Sequence, residues 1–310
     1  MNTFNVVSVN RSEKKGTIKT PVPEISIDEQ GVKGDAHAGK WHRQVSLLGL
    51  ESIHKFEKQA NRRIKYGEFA ENITTQGIEL YLLHPLDRIS IGSTELEISQ
   101  IGKKCHGESC AIFKEVGNCV MPKEGIFCRV LKGGTVKAGD EAIYQPKIFK
   151  IKIITLSDRA YHGEYDDLSG KRIGEMVTGF FTDGHRQCTI DYTVIPDDAG
   201  KLRSLLLEAK SESIDFVFTT GGTGIGPRDI TPETVKPLLD KEIPGIMEMI
   251  RLKYGQEKPA ALLSRSIAGL MGKTFVFALP GSVKAVEEYF VEISKNLMHL
   301  TYMLNGLDIH

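Results

Sequence analysis

No charge of either sign predominates in this 310-residue sequence, where 40 lysines and arginines balance 40 aspartates and glutamates. That balance excludes a long-range field favouring nucleic acid or an anionic membrane surface, so an anionic ligand has to be gripped by local geometry. Cysteine is scarce and odd in number, at five. This is too few for a disulfide scaffold and points to a reducing compartment, so the chain reads as cytoplasmic. No stretch approaches the roughly 20 apolar residues needed to span a bilayer. The first sixteen residues mix Asn2, Asn5 and Asn10 with Arg11, Lys14 and Lys15 and lack the apolar centre of a signal peptide. Paired C-x-x-C spacing is absent, which argues against a structural zinc site. With 40% hydrophobic and 26% charged residues, disorder and collagen-like architecture are excluded, and the length suits two domains.

Residue distribution divides the chain. Cys105, Cys110, Cys119 and Cys128 fall in the first half and only Cys188 in the second. In the first half, short β-type runs (5–9, 44–48, 88–91, 95–99 and 126–131) alternate with glycine and charged turns, with one helix expected over 50–60. That pattern predicts a β-barrel or a strongly bent sheet. From residue 148 the period changes. Apolar runs at 151–156, 190–195, 214–219 and 274–279 alternate with helix-length segments at 169–181, 199–209, 232–239, 244–253 and 283–304. This is the pattern of an α/β three-layer domain around a mostly parallel sheet buried on both faces. The segment Tyr144-Gln145-Pro146-Lys147 reads as a short linker, giving expected domains of 1–145 and 146–310. Residues before 146 carry 20 basic and 18 acidic side chains and the rest 20 and 22, so neither half is an electrostatic arm.

The segment 216–233, FVFTTGGTGIGPRDITPE, runs an apolar strand into a glycine-rich turn and then a helix start. Gly221, Gly222, Gly224 and Gly226 lack Cβ atoms, so their backbone N–H groups are suited to phosphate oxygens. Thr219, Thr220 and Thr223 add hydroxyls, and Thr231-Pro232-Glu233 has the composition of a helix N-terminus with Thr231 as its cap. No Gly-Lys-Ser/Thr follows, so this is not a Walker A loop. Asp229 is suited to magnesium, or alternatively to capping. Asp197, after the second strand, is read either as a second metal carboxylate or as a cap, and Asp198 as the cap of the helix starting near 199. Ligands of open parallel sheets collect at the carboxyl ends of strands. That rule brings Ser157-Asp158-Arg159 and Pro280-Gly281-Ser282 to the same edge.

These residues resemble the molybdopterin adenylyltransferases of the MogA/MoaB type. The matching stretches are TLSDRAYHGEYDDLSG (155–170), IPDD (195–198), TTGGTGIGPRDITPE (219–233), PGIMEMIR (244–251), LSRSIAG (263–269) and LPGSVKAVEE (279–288). The resemblance implies transfer of AMP from Mg-ATP to the terminal phosphate of molybdopterin with release of pyrophosphate. It implies Asp197 and Asp229 as the catalytic, Mg2+-binding acids. Ser157, Asp158, Arg159, Thr220, Gly221, Gly222, Thr223, Gly224, Gly226, Ser264, Pro280 and Gly281 would line the nucleotide and substrate site. Homo-oligomers, trimers or larger, are also implied. The competing reading is a non-catalytic cofactor binder, carrier or sensor.

The first half resembles the MOSC domain, through GVKGDAHAGKWHRQVSLLG (31–49), GEFAENITTQGIEL (67–80), RISIGSTELEISQIGKKCH (88–106) and GIFCRVLKGGTVKAGD (125–140). This resemblance implies a β-barrel concerned with sulfur handling or molybdenum-cofactor binding, and it singles out Cys105 as ligand to molybdenum or tungsten or as sulfur carrier. Neighbouring Lys103, Lys104 and His106 favour a thiolate there. Recipient molybdo- or tungstoenzymes are partners of that reading. Cys128, in an apolar run, reads as a buried small hydrophobe. Lys33, His37, Lys40, Trp41, His42 and Arg43 read either as a site for an anionic cofactor or as a solvated hairpin.

Overall fold

The computed structural model describes residues 2–104 and 119–307. Its contacts separate into two compact units, one running to Lys147 together with the chain from Asn305, the other Ile148–Leu304.

The first unit is built from β1 (Asn2–Arg11), β2 (Thr20–Val22), β3 (Glu24–Asp28), β4 (Gly31–Val32), β5 (Val45–Gly49), β6 (Ile73–Gln76), β7 (Arg88–Ile91), β8 (Thr94–Ile101), β9 (Ile126–Lys132), β10 (Gly134–Lys137) and β11 (Glu141–Gln145). Its main sheet has the order β11-β7-β8-β9-β5-β6-β1, and β1 pairs back onto β11 with Asn2 opposite Tyr144 and Asn5 opposite Glu141. Seven strands therefore close into the expected barrel, which leaves no open edge between them. Alternation along the strands turns Val6, Leu47, Ile73, Ile89, Leu96, Ile98 and Cys128 into one buried cluster. Cys128 is fully buried, as its apolar setting suggested. Helix α1 (Leu50–Ala60) buries Leu50, Ile53 and Phe56 against Phe69, Met121 and Phe127. It ends at Asn61 in the left-handed conformation at φ 50°, a common helix stop. Strands β3, β4 and β10 form a separate small sheet.

The second unit has β12 (Ile148–Leu156), β13 (Gln187–Ile195), β14 (Phe216–Thr220), β15 (Lys241–Glu242), β16 (Ile267–Met271) and β17 (Thr274–Leu279), in the order β13-β12-β14-β17-β16-β15. The first four are parallel, β16 runs antiparallel to β17, and β15 pairs antiparallel with β16 and so shares the direction of the first four. Period-two alternation sends Ile154, Leu156, Val217, Val276 and Ala278 to one face, against Leu202 and Leu206 of α4 (Ala199–Ser211) and Val235 of α5 (Thr231–Val235). The other face carries Phe149, Phe216, Phe218, Phe275 and Phe277, whose rings stack along the sheet. Phe181 of α3 (Ser169–Asp183) lies 4.8 Å from Phe149, and, beyond α6 (Pro244–Gly255) in the chain, Phe290 of α7 (Val283–Leu304) lies 5.8 Å from Phe218. These two faces make the three layers. Among the described residues no helix is long and apolar enough to cross a membrane.

Candidate functional site

Because β12, β13, β14 and β17 run parallel, the segments following Leu156, Ile195, Thr220 and Leu279 emerge at one edge. Antiparallel β16 begins opposite Ala278, so Ser264–Ser266 arrives there too. The sequence-predicted residues of this half are thus gathered on one edge.

The glycine loop is held by backbone. Gly221 N–H donates to the Leu279 carbonyl, and Thr231 N–H donates to the Gly222 carbonyl. Gly221 has φ +100°, and a Cβ there would stand 2.3 Å from the Leu156 carbonyl oxygen, so only glycine fits between β12 and β17. Gly281 packs against this point, where its own Cβ would lie 3.3 Å from the Gly221 Cα. The threonines serve the frame rather than the open face. The buried Thr220 hydroxyl donates to the Pro280 carbonyl at 2.9 Å, and Thr219 and Thr223 are buried as well. Thr231 does not cap its helix as expected. Its hydroxyl donates to the Gly221 carbonyl at 2.9 Å, tying helix to loop, and no side chain caps α5.

Asp229 folds back on its own turn. Gly226 N–H donates to its carboxylate at 2.7 Å, and Asp229 N–H to the Gly226 carbonyl at 3.1 Å. A Cβ at Gly224 would approach that carboxylate to 2.7 Å. Arg265, which sequence reading did not select, fastens both ends of the turn. Its Nε donates to the Gly224 carbonyl at 2.6 Å and an Nη to the Asp229 carbonyl at 2.8 Å, while Glu233 pairs with the guanidinium. Its neighbour Ser264 shares a hydrogen bond with Ser266.

Two further acids meet across the neighbouring strand ends. Asp197 N–H donates to Asp158 Oδ1 at 3.1 Å, and Asp158 N–H points to Asp197 Oδ2 at 3.4 Å. Arg228 forms an ion pair with the second oxygen of Asp158. Burial pushes the Asp197 carboxyl above its usual range. Asp158 and Asp229 push in the same direction, against the Asp158 N–H and Arg228. Asp198 instead caps α4, accepting from Lys201 N–H at 2.9 Å. Ser157 caps the short helix α2 (Asp158–Tyr161) and bonds the Tyr165 hydroxyl, while Arg159 stacks on the Tyr165 ring.

Behind this edge lies a carboxylate that sequence reading left unassigned. Asp167 accepts from the Thr155 hydroxyl, the Tyr192 hydroxyl, the Ser169 hydroxyl and N–H, and the Gly170 N–H. Burial opposes its charge, but these donors hold it below the ordinary range. Its signal was the D-x-S-G run at the start of α3, read there only as part of a longer motif.

In the first unit the segment 33–43 is neither a plain hairpin nor fully solvated. Asp35 is buried and pairs with the equally buried Lys19 at 2.8 Å. It also accepts from Ser12 N–H, His37 N–H and the Asn72 amide. His37 Nδ1 stands 3.3 Å from Asp35, outside hydrogen-bond geometry. Arg43 lies over Trp41 and Phe127, and Lys103 also faces Phe127. His42 meets Gln100 at 3.2 Å. Lys33 and Lys40 are exposed. Burial lowers the Lys19 ammonium despite Asp35, and burial raises Glu71 nearby. None of this buried set was selected from sequence, because isolated polar residues in short strands carry no periodic signal. Cys105 and Cys110 lie outside the described residues.

Comparison with known proteins assigns both halves. Residues 152–299 match the family described as "Probable molybdopterin binding domain", and residues 34–142 match the MOSC domain. A molybdopterin adenylyltransferase of Pyrococcus furiosus is 40% identical over 160 residues, covering 50% of this chain and 90% of that protein. Its counterpart in Helicobacter pylori is 37% identical over 139 residues, covering 44% and 77%. Molybdenum cofactor biosynthesis protein B of Bacillus cereus is 37% identical over 164 residues, covering 52% and 93%. The chain therefore belongs to the molybdopterin-binding family of molybdenum-cofactor biosynthesis proteins through its second half and carries a MOSC domain in its first.

Proposed function

We propose that the second unit transfers AMP from ATP to the terminal phosphate of molybdopterin, releasing pyrophosphate. The observation that carries this reading is the convergence of the glycine loop, Asp158, Asp197 and Asp229 on one sheet edge, in a chain 40% identical to a molybdopterin adenylyltransferase over that half. Joining two polyanions needs positioning and charge neutralisation more than a nucleophilic side chain.

A Mg2+ ion fits the donor set. The acids offer hard oxygen ligands, and Asp158 and Asp229 both act on Asp197 as like charges with the Arg228 guanidinium opposing them. Among the described residues no three His, Cys, Asp or Glu side chains form a ready cage. Magnesium takes one or two carboxylates and completes its shell with water and substrate phosphates. Asp197 and Asp229 would hold the ion, and bound there it would neutralise charge on the polyphosphate. Gly222, Thr223 and Gly224 present backbone to the phosphates, Gly226 gives its N–H to Asp229, and Ser157, Asp158, Arg159, Ser264, Pro280 and Gly281 form the rim. Thr220 and Gly221 shape the loop from behind. The molybdopterin phosphate oxygen attacks the α-phosphorus of ATP, and the bond to the β-phosphate oxygen breaks as pyrophosphate leaves.

The test is a full-chain assay with ATP and molybdopterin, reading adenylylated product by mass spectrometry. Asp229→Asn and Asp197→Asn are each expected to lower turnover at least a hundredfold with an unchanged circular dichroism spectrum. Unaltered turnover in Asp229→Asn refutes the assignment. A wild-type protein that binds molybdopterin yet releases no pyrophosphate favours a carrier or sensor. For the first unit we propose cofactor or sulfur binding dependent on Cys105, tested by metal and pterin content of Cys105→Ala. Small-molecule substrates, a recipient enzyme, self-association and a cytoplasmic setting complete this reading.

A further inference from the structure

The turn carrying Asp229 is fixed at its ends and open in its middle. Arg265 binds the carbonyls of Gly224 and Asp229, whereas Ile225 between them is 76% exposed. Arg228 sits in that open stretch with its side chain 64% exposed, and reaches across to Asp158, whose other oxygen accepts from Asp197 N–H. Among the charges that act most strongly on Asp197, Asp158 and Asp229 repel and Arg228 is the cation. The other nearby arginine of the rim, Arg159, is turned onto the Tyr165 ring.

We propose that Arg228 is a resident counter-cation of the acid cluster, which a divalent metal ion displaces, and that the freed guanidinium then grips the polyphosphate of ATP. One side chain would neutralise the acids when the site is empty and contact substrate when it is filled. Two features make the exchange physically accessible. An exposed ion pair is worth little, so breaking it costs about 1 kcal/mol or less, and a guanidinium has the fork geometry for phosphate. The swing requires only the open middle of the turn, since Arg265 keeps Gly224 and Asp229 in place. The inference rests on the adenylyl-transfer reading and adds to it a competition between protein cation and metal that precedes nucleotide binding.

The competition has a signature opposite to that of a merely structural arginine. Full-length Arg228→Gln is titrated with Mn2+ alone, without nucleotide, and free Mn2+ is followed by electron paramagnetic resonance. Removing the resident cation is expected to tighten Mn2+ binding about fivefold, corresponding to about 1 kcal/mol. In the transfer assay at saturating Mg2+, the same variant is expected to raise KM for ATP about tenfold with a smaller change in kcat. Arg228→Lys, which keeps the charge, is expected to show near wild-type Mn2+ affinity and a raised KM. Equal or weaker Mn2+ binding by Arg228→Gln overturns the proposal while leaving the adenylyltransferase reading standing. Mn2+ binding by the wild type that survives intact in Asp229→Asn, or no Mn2+ binding by the wild type, also overturns the proposal, while the transfer assay decides the adenylyltransferase reading by itself.

Discussion

Replacing Asp35 by alanine is expected to destabilise the first unit by about 3–5 kcal/mol, because it strips a buried ammonium of its partner. Lys19 and Asp35 side chains are each 1% exposed and their charged atoms are 2.8 Å apart. Removing one member of such a pair leaves an uncompensated buried charge, which costs more than the pair itself contributes. Ser12 N–H, His37 N–H and the Asn72 amide also lose an acceptor. For a unit of this size, roughly 2–4 °C of melting temperature per kcal/mol translates the loss into roughly 6–20 °C. The single tryptophan provides the assay. Trp41 lies in the first unit and donates its indole N–H to the His37 carbonyl, two residues from Asp35, so its fluorescence follows this unit in the full chain. The double variant Lys19→Met/Asp35→Leu removes both charges but leaves the same three donors unmet, and is expected to be more stable than the single variant by about 1–3 kcal/mol. A single variant costing under about 1 kcal/mol, or a double variant costing as much as the single, refutes the reasoning. The acid limb supplies an independent sign. Burial opposes the Asp35 charge, yet the adjacent His37 ring, the Lys19 ammonium and the His37 N–H hold its carboxyl well below the usual range. Its stabilisation is therefore present above the unfolded-state value of about 3.9 and is lost as pH falls below it, so Asp35→Asn should flatten that limb.

Three further outcomes can be checked. Gly221→Ala forces a Cβ to 2.3 Å from the Leu156 oxygen at φ +100° and is expected to cost upward of about 1–3 kcal/mol in the second unit and to abolish transfer; urea denaturation of the two proteins measures the first and the transfer assay the second. Asp167→Asn turns a donor toward the hydroxyls and N–H groups that now converge on its carboxylate, an expected loss of about 2–3 kcal/mol read in the same experiment. Cys128, buried in the barrel with its thiol pKa raised by that burial, is expected to resist alkylation until the barrel unfolds, and Cys128→Ser should cost about 1–3 kcal/mol for an unpaired buried hydroxyl; mass spectrometry of iodoacetamide-treated native protein checks the reactivity.

The elements that sequence reading placed well are those with a long, regular apolar period. Helices α1 and α7 occupy the expected ranges, 50–60 and 283–304, and β17 the expected 274–279. The strands β2, β4 and β10, of three, two and four residues, were invisible because proline, glycine and charge interrupt the alternation they depend on. Strand β16 was missed for a different reason. All five of its residues are buried, so no alternation marks it, and its antiparallel direction breaks the βα rhythm. At the site, the glycine spacing and the carboxylates were legible because the chemistry needs those residue types in order. The three threonines were read as phosphate donors, since composition cannot show that Thr220 spends its hydroxyl on the Pro280 carbonyl or that Thr219 and Thr223 are buried. Arg265 and Asp167 act through contacts 36 and 25 residues distant, beyond any local pattern.

The closure of the barrel has a consequence for biosynthesis. Its sealing seam pairs Asn2 with Tyr144 and Asn5 with Glu141, so the ring stays open until the chain has left the ribosome as far as Tyr144. The strand opening the second unit starts at Ile148, only a few residues later. Translation therefore delivers the whole barrel sheet before any of the α/β sheet exists to compete for its strands, while the Asn305 carbonyl that receives Arg129 of the barrel emerges only after the α/β unit has been made.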